Sequence, residues 1–454
     1  MAKIKSKHVC QQCGYESAGY LGKCPECGSW GSFVEEITTQ TNSKKNTIVL
    51  DDTPPMRVNE IVTNTETRFP TKISEFDRVL GGGIVQGSVI LIAGDPGIGK
   101  STLLLQTSGT LTNSGKKVLY TSAEESLSQI KLRAQRLNVD SENLYIYSQT
   151  NLESIKKQVE TLKPDLIIID SIQAIHTEDV QSSAGSVSQI RECCNSLINI
   201  AKNNNIAVIV IGHVTKEGNI AGPKVLEHMV DAVIQFEGDK YKSHRILRSM
   251  KNRFGNTSEV GIFEMEENGL REIVNPSELF IKDIDSIQAP GSVTIVTNEG
   301  SRPLLVEIQA LVGTTPYPTP RRVANGVDTG RVHQILAVLE KRVGLNLSKQ
   351  DVYINVIGGM DITETAADLG IAMAITTCAR DIVMDKHTAI VGEIGLSGEI
   401  RAVSNIEKRI VEAQKLGFKK ILVPQMNNIK DVAGIEIVQI KNIMDAFNRG
   451  LTKE

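Results

Sequence analysis

The chain has 454 residues, of which 40% are hydrophobic and 23% charged, and its formal net charge is -3. This length predicts about three domains, and the composition allows each of them an ordinary core. The near balance of 50 basic and 53 acidic residues argues against a chain built mainly as a basic coat for nucleic acid, although it leaves local patches open. The sequence lacks a run of about eighteen apolar residues, and residues 1–8 lack the apolar segment of a secretion signal. We therefore expect a soluble, cytoplasmic protein with no membrane segment.

The first predicted element is a small metal-binding module in residues 1–36. It contains two Cys-x-x-Cys pairs, formed by Cys10, Cys13, Cys24 and Cys27. Four thiolates in two such pairs are typical of a tetrahedral Zn²⁺ site, and the metal would replace the core that so short a module cannot form. A redox pair and disulfides are the alternatives. We expect the only tryptophan, Trp30, to pack on this module, with base stacking as the alternative.

Residues 37–66 are polar and contain Pro54 and Pro55, which indicates a linker with little fixed structure. The predicted ATPase domain, residues 67–275, is organised around a glycine-rich loop that follows the apolar run 89–93 and precedes a helix beginning near Thr102. The loop fits the pattern G-x-x-x-x-G-K-[ST] of phosphate-binding loops. Its residues are Gly94, Asp95, Pro96, Gly97, Ile98, Gly99, Lys100 and Ser101.

The residue types of this loop match the chemistry of nucleotide binding. Its glycines allow a tight turn that aims backbone N–H groups at phosphate oxygens, and the next helix adds its positive N-terminal end. Lys100 would reach the β and γ phosphates, and Ser101 would ligate Mg²⁺. A glycine-rich turn that matches by chance is the alternative, but a strand and a helix flank the loop on the expected sides. We therefore predict an ATP and Mg²⁺ site.

Acidic residues follow two further predicted strands. The strand 118–122 leads into Glu124 and Glu125, and the buried strand 166–170 ends at Asp170. Because strand ends gather beside the phosphate loop in an α/β sheet, Asp170 is expected to hold Mg²⁺ through water, with an ordinary turn acid as the alternative. Glu124 is a candidate to orient or deprotonate the attacking water, although the pattern alone does not choose between it and Glu125.

Alternating strands and helices predict a mostly parallel α/β sheet for this domain. Residues 187–201 repeat apolar side chains at helical spacing, and the strand 206–211 that follows leads to His213. His213 is interpreted either as a sensor of the γ phosphate or as a structural residue. The polar loops 181–188 and 216–224 are either tracks for a sugar–phosphate backbone or ordinary surface loops.

A basic pentapeptide lies between the predicted strands 246–250 and 260–263. It consists of Lys251, Asn252, Arg253, Phe254 and Gly255. Two cations two residues apart on a strand share one face, which suits the γ phosphate, including that of a neighbouring subunit. A solvated basic turn is the alternative.

Residues 286–454 mix short strands with helices and contain no second phosphate loop, which predicts an α+β domain. We expect strands at 293–296, 304–311 and 352–356, and helices at 332–342, 369–377 and 406–416. The basic concentration of this domain is formed by Arg321, Arg322, Arg331, Lys341 and Arg342. It is either a DNA-contacting surface or solvated charge.

These motifs together resemble the bacterial RadA (Sms) family. The cysteine pairs, the phosphate loop, the Lys-Asn-Arg-Phe-Gly pentapeptide and a segment similar to the Lon protease domain occur in the order of that family and cover nearly the whole chain. The resemblance implies a RecA-like ATPase that forms a hexameric ring, binds single-stranded and branched DNA, and promotes branch migration with RecA. It assigns Lys100, Ser101 and Glu124 to ATP hydrolysis and gives Lys251 and Arg253 a role across the subunit boundary. It also places the loops near Gly185 and Gly222 at the DNA.

The Lon-like segment departs from an active peptidase. Asp368 stands where the nucleophilic serine is expected, and Glu407 stands where its lysine partner is expected. Because two carboxylates provide neither a hydroxyl nor an amine, we expect this domain to be inactive as a peptidase and to act as a scaffold for the ring.

The sequence therefore favours a DNA-dependent ATPase, or DNA helicase, of recombinational repair. One alternative is an ATP-dependent Lon-like protease, which Asp368 and Glu407 disfavour. The other is a non-motor regulatory ATPase with a RecA-like fold, which would lack DNA-stimulated hydrolysis.

Overall fold

The computed structural model describes residues 5–12, 14–38, 57, 68–213, 225–238, 244–281, 289–427 and 429–451. The chain divides into two compact units, Met1–Val274 and Asn275–Glu454. Most of the predicted linker and the whole candidate DNA loop 216–224 lie outside the described residues. Within the described part of the chain, no helix is both long and apolar enough to cross a membrane.

The first unit begins with a small antiparallel sheet in the order β2-β1-β3. Its strands are β1 Lys5–Cys10, β2 Glu16–Ser17 and β3 Phe33–Thr38. The interior holds Cys10, Cys24 and Phe33. Trp30 is 76% exposed, so the prediction that it packs on the module is wrong. The cysteines and Phe33 already fill the interior, and the indole ring instead lies 5.6 Å from the Lys23 ammonium.

The rest of this unit is an α/β fold. Its strands are β4 Arg68–Phe69, β5 Ile84–Val85, β6 Val89–Gly94, β7 Val118–Ser122, β8 Leu144–Ser148, β9 Leu166–Asp170, β10 Ala207–His213, β11 Ala232–Glu237, β12 His244–Asn252, β13 Val260–Glu266 and β14 Gly269–Glu272. Its helices are α1 Ser74–Leu80, α2 Lys100–Asn113, α3 Leu127–Arg136, α4 Leu152–Leu162, α5 Val187–Asn204 and α6 Val225–Met229.

The main sheet of the described residues has the order β14-β13-β12-β11-β6-β10-β9-β7-β8. The six strands from β11 to β8 run parallel to their neighbours, whereas β12, β13 and β14 continue the sheet antiparallel. The predicted mostly parallel α/β core is therefore confirmed. The antiparallel extension carries the basic pentapeptide at the end of β12.

Helices cover both faces of the main sheet. On β9, Leu166 and Ile168 pack with side chains of α1, α2 and α3, whereas Ile167 and Ile169 pack with side chains of α4 and α5. Because successive side chains of a strand point to opposite faces, a strand covered on both faces needs a continuous apolar run. The run 166–169 provides it.

The parallel register brings the predicted functional segments to one edge of the sheet. Ser122 at the end of β7 pairs with Asp170 at the end of β9. Gly94 at the end of β6 pairs with His213 at the end of β10. The segments that follow these strands therefore emerge side by side, as expected at the carboxyl edge of such a sheet.

The second unit has the predicted α+β architecture. Its strands are β15 Ser292–Glu299, β16 Arg302–Thr314, β17 Arg322–Asn325, β18 Gln350–Val356, β19 Thr388–Ile390, β20 Glu393–Ile394, β21 Ile400–Arg401, β22 Lys420–Pro424 and β23 Glu436–Ile440. Its helices are α7 Ser277–Phe280, α8 Thr329–Val338, α9 Asp368–Ala379, α10 Ile406–Lys415 and α11 Ile443–Gly450. In the described part of this unit, a mixed sheet has the order β17-β18-β16-β15-β19-β22-β23, and β20 pairs with β21.

Asp368, at the position of the expected Lon serine, is buried at the start of α9. The Arg331 guanidinium donates to both of its oxygens, with Nε 2.8 Å from Oδ1, and the Ile394 N–H donates to Oδ2 at 3.1 Å. Glu407 is exposed on α10. The buried carboxylate is thus paired within its own unit.

The predicted basic concentration is partly engaged in such contacts. Arg331 binds Asp368, and the Arg322 guanidinium donates to the carbonyls of Leu347 and Gln350. The Arg321 guanidinium lies 4.0 Å from the Tyr317 ring centroid. Lys341 and Arg342 are exposed. Only part of the predicted surface therefore carries solvated charge.

A second ion pair joins Arg409 of α10 to Glu364, which lies shortly before α9. Arg409 is fully buried, and its guanidinium donates to both carboxylate oxygens of Glu364 at 2.8 and 2.7 Å. It also donates to the carbonyls of Val296 at 2.6 Å and Ser404 at 3.0 Å. Burial alone would raise the pKa of Glu364, but Arg409 and the hydrogen bonds from Thr297 and Asn298 lower the pKa below its ordinary value of 4.5.

Replacing Arg409 with methionine should destabilise the second unit by about 3 kcal/mol, because Glu364 would lose its partner inside the protein. The matched change Arg401→Met removes an exposed arginine paired with Glu399 and should cost less than about 1 kcal/mol. Hydrogen exchange of peptides from β15 and α10 measures the difference. Because the pKa of Glu364 is lowered, the pair should stabilise the unit above pH 4.5 and lose this effect as the pH falls. Equal exchange in the two variants would contradict this prediction.

Candidate active site

The phosphate loop connects β6 to α2. Gly97 and Gly99 have φ values of 79° and 119°, in the left-handed region that favours glycine. Helix α2 begins at Lys100, two residues earlier than the sequence predicts, so Lys100 and Ser101 lie in its first turn. The 14-residue helix therefore directs its free N–H groups and its positive end at the loop, where an anion would bind.

The Lys100 side chain lies across this loop. Lys100 is 4% exposed, and its ammonium donates to the carbonyls of Gly94 at 2.8 Å and Asp95 at 2.9 Å. Burial lowers the pKa of Lys100 from 10.5 to about 8, although Asp170, Asp95 and Glu124 act in the opposite direction. A bound phosphate would supply the negative charge that this buried ammonium needs.

Ser101 and Asp170 lie on the wall of one cavity. Asp170 is 8% exposed, and one of its oxygens, Oδ2, accepts a hydrogen bond from the Tyr120 hydroxyl at 2.6 Å. Burial and the neighbouring Asp170 raise the pKa of Tyr120 well above its ordinary value, so the phenol keeps the proton that it donates. A hydroxyl and a carboxylate are oxygen ligands of the kind that Mg²⁺ prefers, and the residues present therefore fit this ion.

The structure separates Glu124 from Glu125. Glu124 accepts a hydrogen bond from the Ser171 hydroxyl, and its Oε1 lies 3.3 Å from His213 Nε2. The other ring nitrogen of His213 lies 3.5 Å from the Lys100 ammonium. Glu125 instead forms an ion pair with Arg133 of α3. Both glutamates line the same cavity, but Glu124 is the one that His213 connects to Lys100.

These groups surround a cavity of about 490 Å³, a size typical of small-molecule sites. Besides the predicted residues, Arg133, Arg136, Arg245 and Met265 line it. The Arg245 guanidinium is buried and donates to the Ile98 carbonyl at 3.1 Å. No motif in the sequence points to these four residues, because they come from α3, β12 and β13, which only the fold brings to the phosphate loop.

The basic pentapeptide contacts the ends of two helices in its own chain. The Lys251 ammonium donates to the carbonyls of Glu227 at 2.8 Å, His228 at 3.2 Å and Val230 at 2.8 Å, at the end of α6. The Arg253 guanidinium lies 3.4 Å from Asp231 Oδ1, and its side chain is 55% exposed. Burial, followed by the repulsion of Arg253, lowers the pKa of Lys251. Both cations thus reach one short segment, 227–231.

The other residues of the pentapeptide fix the turn. Asn252 Nδ2 donates to the carbonyls of Val79 and Leu80 at 3.3 and 3.2 Å, at the end of α1. The Phe254 N–H donates to Asn252 Oδ1 at 2.9 Å. A Cβ on Gly255 would lie 3.0 Å from the Gly81 backbone, which is closer than ordinary contact. This part of the motif is therefore built for close backbone packing.

Three of the four predicted zinc ligands lie together. The sulfurs of Cys10, Cys24 and Cys27 are within 4.8 Å of one another, and Cys13 lies outside the described residues. The N–H of Gly14 donates to the Cys10 carbonyl at 2.8 Å, and the N–H of Gly28 donates to the Cys24 carbonyl at 2.9 Å. These are the two tight turns expected of paired cysteine knuckles. The thiol donors fit Zn²⁺.

The candidate DNA loop 181–188 is anchored by a buried glutamine that the sequence analysis missed. Gln189 is 2% exposed and accepts a hydrogen bond from the Thr177 N–H at 3.0 Å. Its amide also donates to the carbonyls of Thr177 at 3.0 Å, Val180 at 2.7 Å and Ser182 at 3.0 Å. Gln189 is not among the apolar positions from which this helix was predicted, so no signal in the sequence marked it as buried.

Comparisons with known proteins agree with this geometry. An AAA domain model matches residues 55–219, a model of the rubredoxin metal binding domain matches residues 8–35, and a model of subunit ChlI of Mg-chelatase matches residues 328–427. The DNA repair protein RadA of Listeria monocytogenes is 50% identical over 99% of this chain and 100% of that protein. The RadA protein of Bacillus subtilis is 48% identical over 99% of this chain and 100% of that protein. The RadA protein of Streptococcus pyogenes serotype M1 is 48% identical over 99% of each.

The position of Glu124 leads to a test against its neighbour. Glu124→Gln should lower steady-state ATP hydrolysis by about a hundredfold or more, because the amide cannot accept a proton from the attacking water. Glu125→Gln is the matched control and should keep most of the activity, since it changes an ion pair with Arg133 on α3. Binding of a fluorescent ATP analogue should persist in both variants. An equal loss of hydrolysis in both would contradict the assignment.

Proposed function

The chain belongs to the RadA family of DNA repair proteins and carries an ATPase domain, and from this premise we propose that it is a DNA-dependent ATPase of recombinational repair. In this proposal it forms a hexameric ring on single-stranded DNA and promotes branch migration and strand exchange with RecA. The observation that carries the proposal is the set of Lys100, Glu124 and Asp170 around one cavity at the carboxyl edge of the sheet.

Each residue of this cavity has a role that its contacts support. Lys100 would neutralise the β and γ phosphates, since its buried ammonium lacks a carboxylate partner at hydrogen-bond distance among the described residues. Ser101 and Asp170 would hold Mg²⁺, which when bound neutralises charge that develops on the phosphates. Glu124 would orient the attacking water and take its proton, with Ser171 and His213 fixing the carboxylate.

Two strands that end at this cavity lead along the chain into the candidate DNA loops, which supports coupling between hydrolysis and DNA. His213 contacts Glu124 and Lys100, and the chain continues from it directly into the segment that contains loop 216–224. The segment after Asp170 leads to Gln189 and loop 181–188. A change of position at either strand end would therefore be passed to a loop proposed to hold the sugar–phosphate backbone.

A ring of subunits would give the pentapeptide its proposed role. In this chain, Lys251 and Arg253 contact the segment 227–231 rather than the phosphate loop. We infer that they reach the ATP of a neighbouring subunit, where cations stabilise the charge of phosphoryl transfer. The domain of residues 286–454 would hold the ring together, and the zinc module of residues 1–36 would contact RecA. These assignments rest on the family.

Two other functions are less well supported. A Lon-like protease would need a nucleophile at Asp368, whose carboxylate is buried and paired with Arg331. A regulatory ATPase would share the cavity, but it would hydrolyse ATP without a response to DNA. The response to DNA therefore separates the leading proposal from this second candidate.

The first test is the steady-state ATPase rate with and without single-stranded DNA, using Lys100→Ala as the blank. We expect hydrolysis by the wild-type chain, marked stimulation by DNA, and loss of both in Lys100→Ala, because the variant cannot neutralise the phosphates. RecA filaments are added in a second series, with a branched recombination substrate to detect branch migration. Basal hydrolysis that responds to neither DNA nor RecA filaments would favour the regulatory ATPase.

A mixing experiment tests the role of the pentapeptide across subunits. Lys100→Ala and Lys251→Ala should each be inactive alone. The first lacks the lysine that binds the phosphates, and the second lacks the cation that would reach the ATP of the neighbouring subunit. In mixed rings, a Lys251→Ala subunit keeps its phosphate loop and receives Lys251 from a Lys100→Ala neighbour. Random mixing in equal amounts should restore roughly a quarter of the sites. Circular dichroism checks the fold of each variant, and a mixture as inactive as its components would contradict the proposal.

A further inference from the structure

A buried phenol is hydrogen-bonded to the predicted magnesium ligand Asp170. The Tyr120 hydroxyl donates to Asp170 Oδ2 at 2.6 Å. The Ser101 hydroxyl is a neighbour of the same phenol oxygen. Ser101 comes from the first turn of α2, Tyr120 from the middle of β7 and Asp170 from the end of β9.

The fold explains how Tyr120 reaches Asp170. Its ring is 1% exposed and lies on the sheet face that α2 covers, where it packs with Ile168 and Leu104. Ser122, two residues later on β7, pairs with Asp170 on β9. Because alternate residues of a strand share a face, the phenol lies on the same face as the residue next to Asp170 and extends between α2 and the sheet.

The direction of this bond matters for metal binding. The Tyr120 hydrogen engages Oδ2 of Asp170, which leaves Oδ1 for a metal-bound water. Without the phenol hydroxyl, Asp170 would lose this donor.

We propose that Tyr120 is a positioning residue for Mg²⁺: its buried hydroxyl orients the predicted magnesium ligand Asp170 before the ion and the nucleotide bind. This inference rests on the proposed ATP and Mg²⁺ site. The aromatic ring by itself serves the core, where phenylalanine would pack equally well. The hydroxyl is the part with a separate task, since the carboxylate to which it donates is a predicted ligand of the ion.

The test is the Mg²⁺ dependence of nucleotide binding in Tyr120→Phe. A fluorescent ATP analogue is titrated into the full chain at increasing Mg²⁺, and a series in EDTA gives the metal-free affinity. Removal of a hydrogen-bond partner of metal ligands typically costs ten- to a hundredfold in metal affinity, so the half-saturating Mg²⁺ concentration should rise about tenfold. The affinity in EDTA should stay as in the wild type, and excess Mg²⁺ should restore ATP hydrolysis.

The matched control is Tyr147→Phe on the neighbouring strand β8, where the tyrosine is half-buried and packs against the core on the other face of the sheet. It should bind Mg²⁺ and nucleotide as the wild type does. A half-saturating Mg²⁺ concentration in Tyr120→Phe equal to that of Tyr147→Phe would overturn the proposal. Equal weakening in EDTA and in Mg²⁺ would also overturn it, since that pattern indicates a structural role.

A double variant keeps the test decisive if Tyr120→Phe is less stable than the wild type. If the phenol acts through Asp170, adding Tyr120→Phe to Asp170→Asn should change the half-saturating Mg²⁺ concentration little beyond the single Asp170→Asn change. Fully independent effects of the two changes would overturn the proposal. If the wild-type chain binds the nucleotide without any response to Mg²⁺, this result contradicts the proposed ATP and Mg²⁺ site. The role of Tyr120 is then contradicted as well, because it depends on that site.

Discussion

The parallel register of β6, β10, β9 and β7 is the constraint on which the rest of the first unit depends. It brings four strand ends to one edge of the sheet, and these ends carry the phosphate loop, His213, Asp170 and the segment of Glu124. None of these groups is near another in sequence. The continuous apolar runs that pack on both faces therefore determine where the chemistry lies, because a shift of one strand by one residue would turn its side chains to the other face.

At this edge of the sheet, hydrogen bonds and ion pairs from other side chains hold the carboxylates in place. Ser171 and His213 hold Glu124, Arg133 holds Glu125, and Tyr120 holds Asp170. Such pairs satisfy buried donors and acceptors, and they also select one orientation for each carboxylate. Glu124 and Glu125 show this selection of orientation. They are adjacent in sequence, but their carboxylates bind different partners.

The sequence predicted the α/β core, the α+β unit, the phosphate loop and most strands within a few residues, because these depend on local periodicity and on glycine placement. It did not predict Tyr120, Ser171 or Gln189 as partners of site residues, because their contacts join segments that only the sheet brings together. Trp30 was expected to pack on the zinc module, but the cysteines and Phe33 occupy the small interior. The choice between Glu124 and Glu125 likewise needed the position of Arg133 on α3.

The ion pair between Asp368 and Arg331 has a consequence for how the second unit evolves. A single change of Asp368 to serine would introduce the residue type expected of a Lon peptidase, but it would leave the half-buried Arg331 guanidinium without its carboxylate, at a cost of about 3 kcal/mol. Replacing Arg331 with an uncharged residue first would leave the buried Asp368 carboxylate without its partner in the same way. A serine at this position can therefore be reached only through paired changes or at the expense of stability.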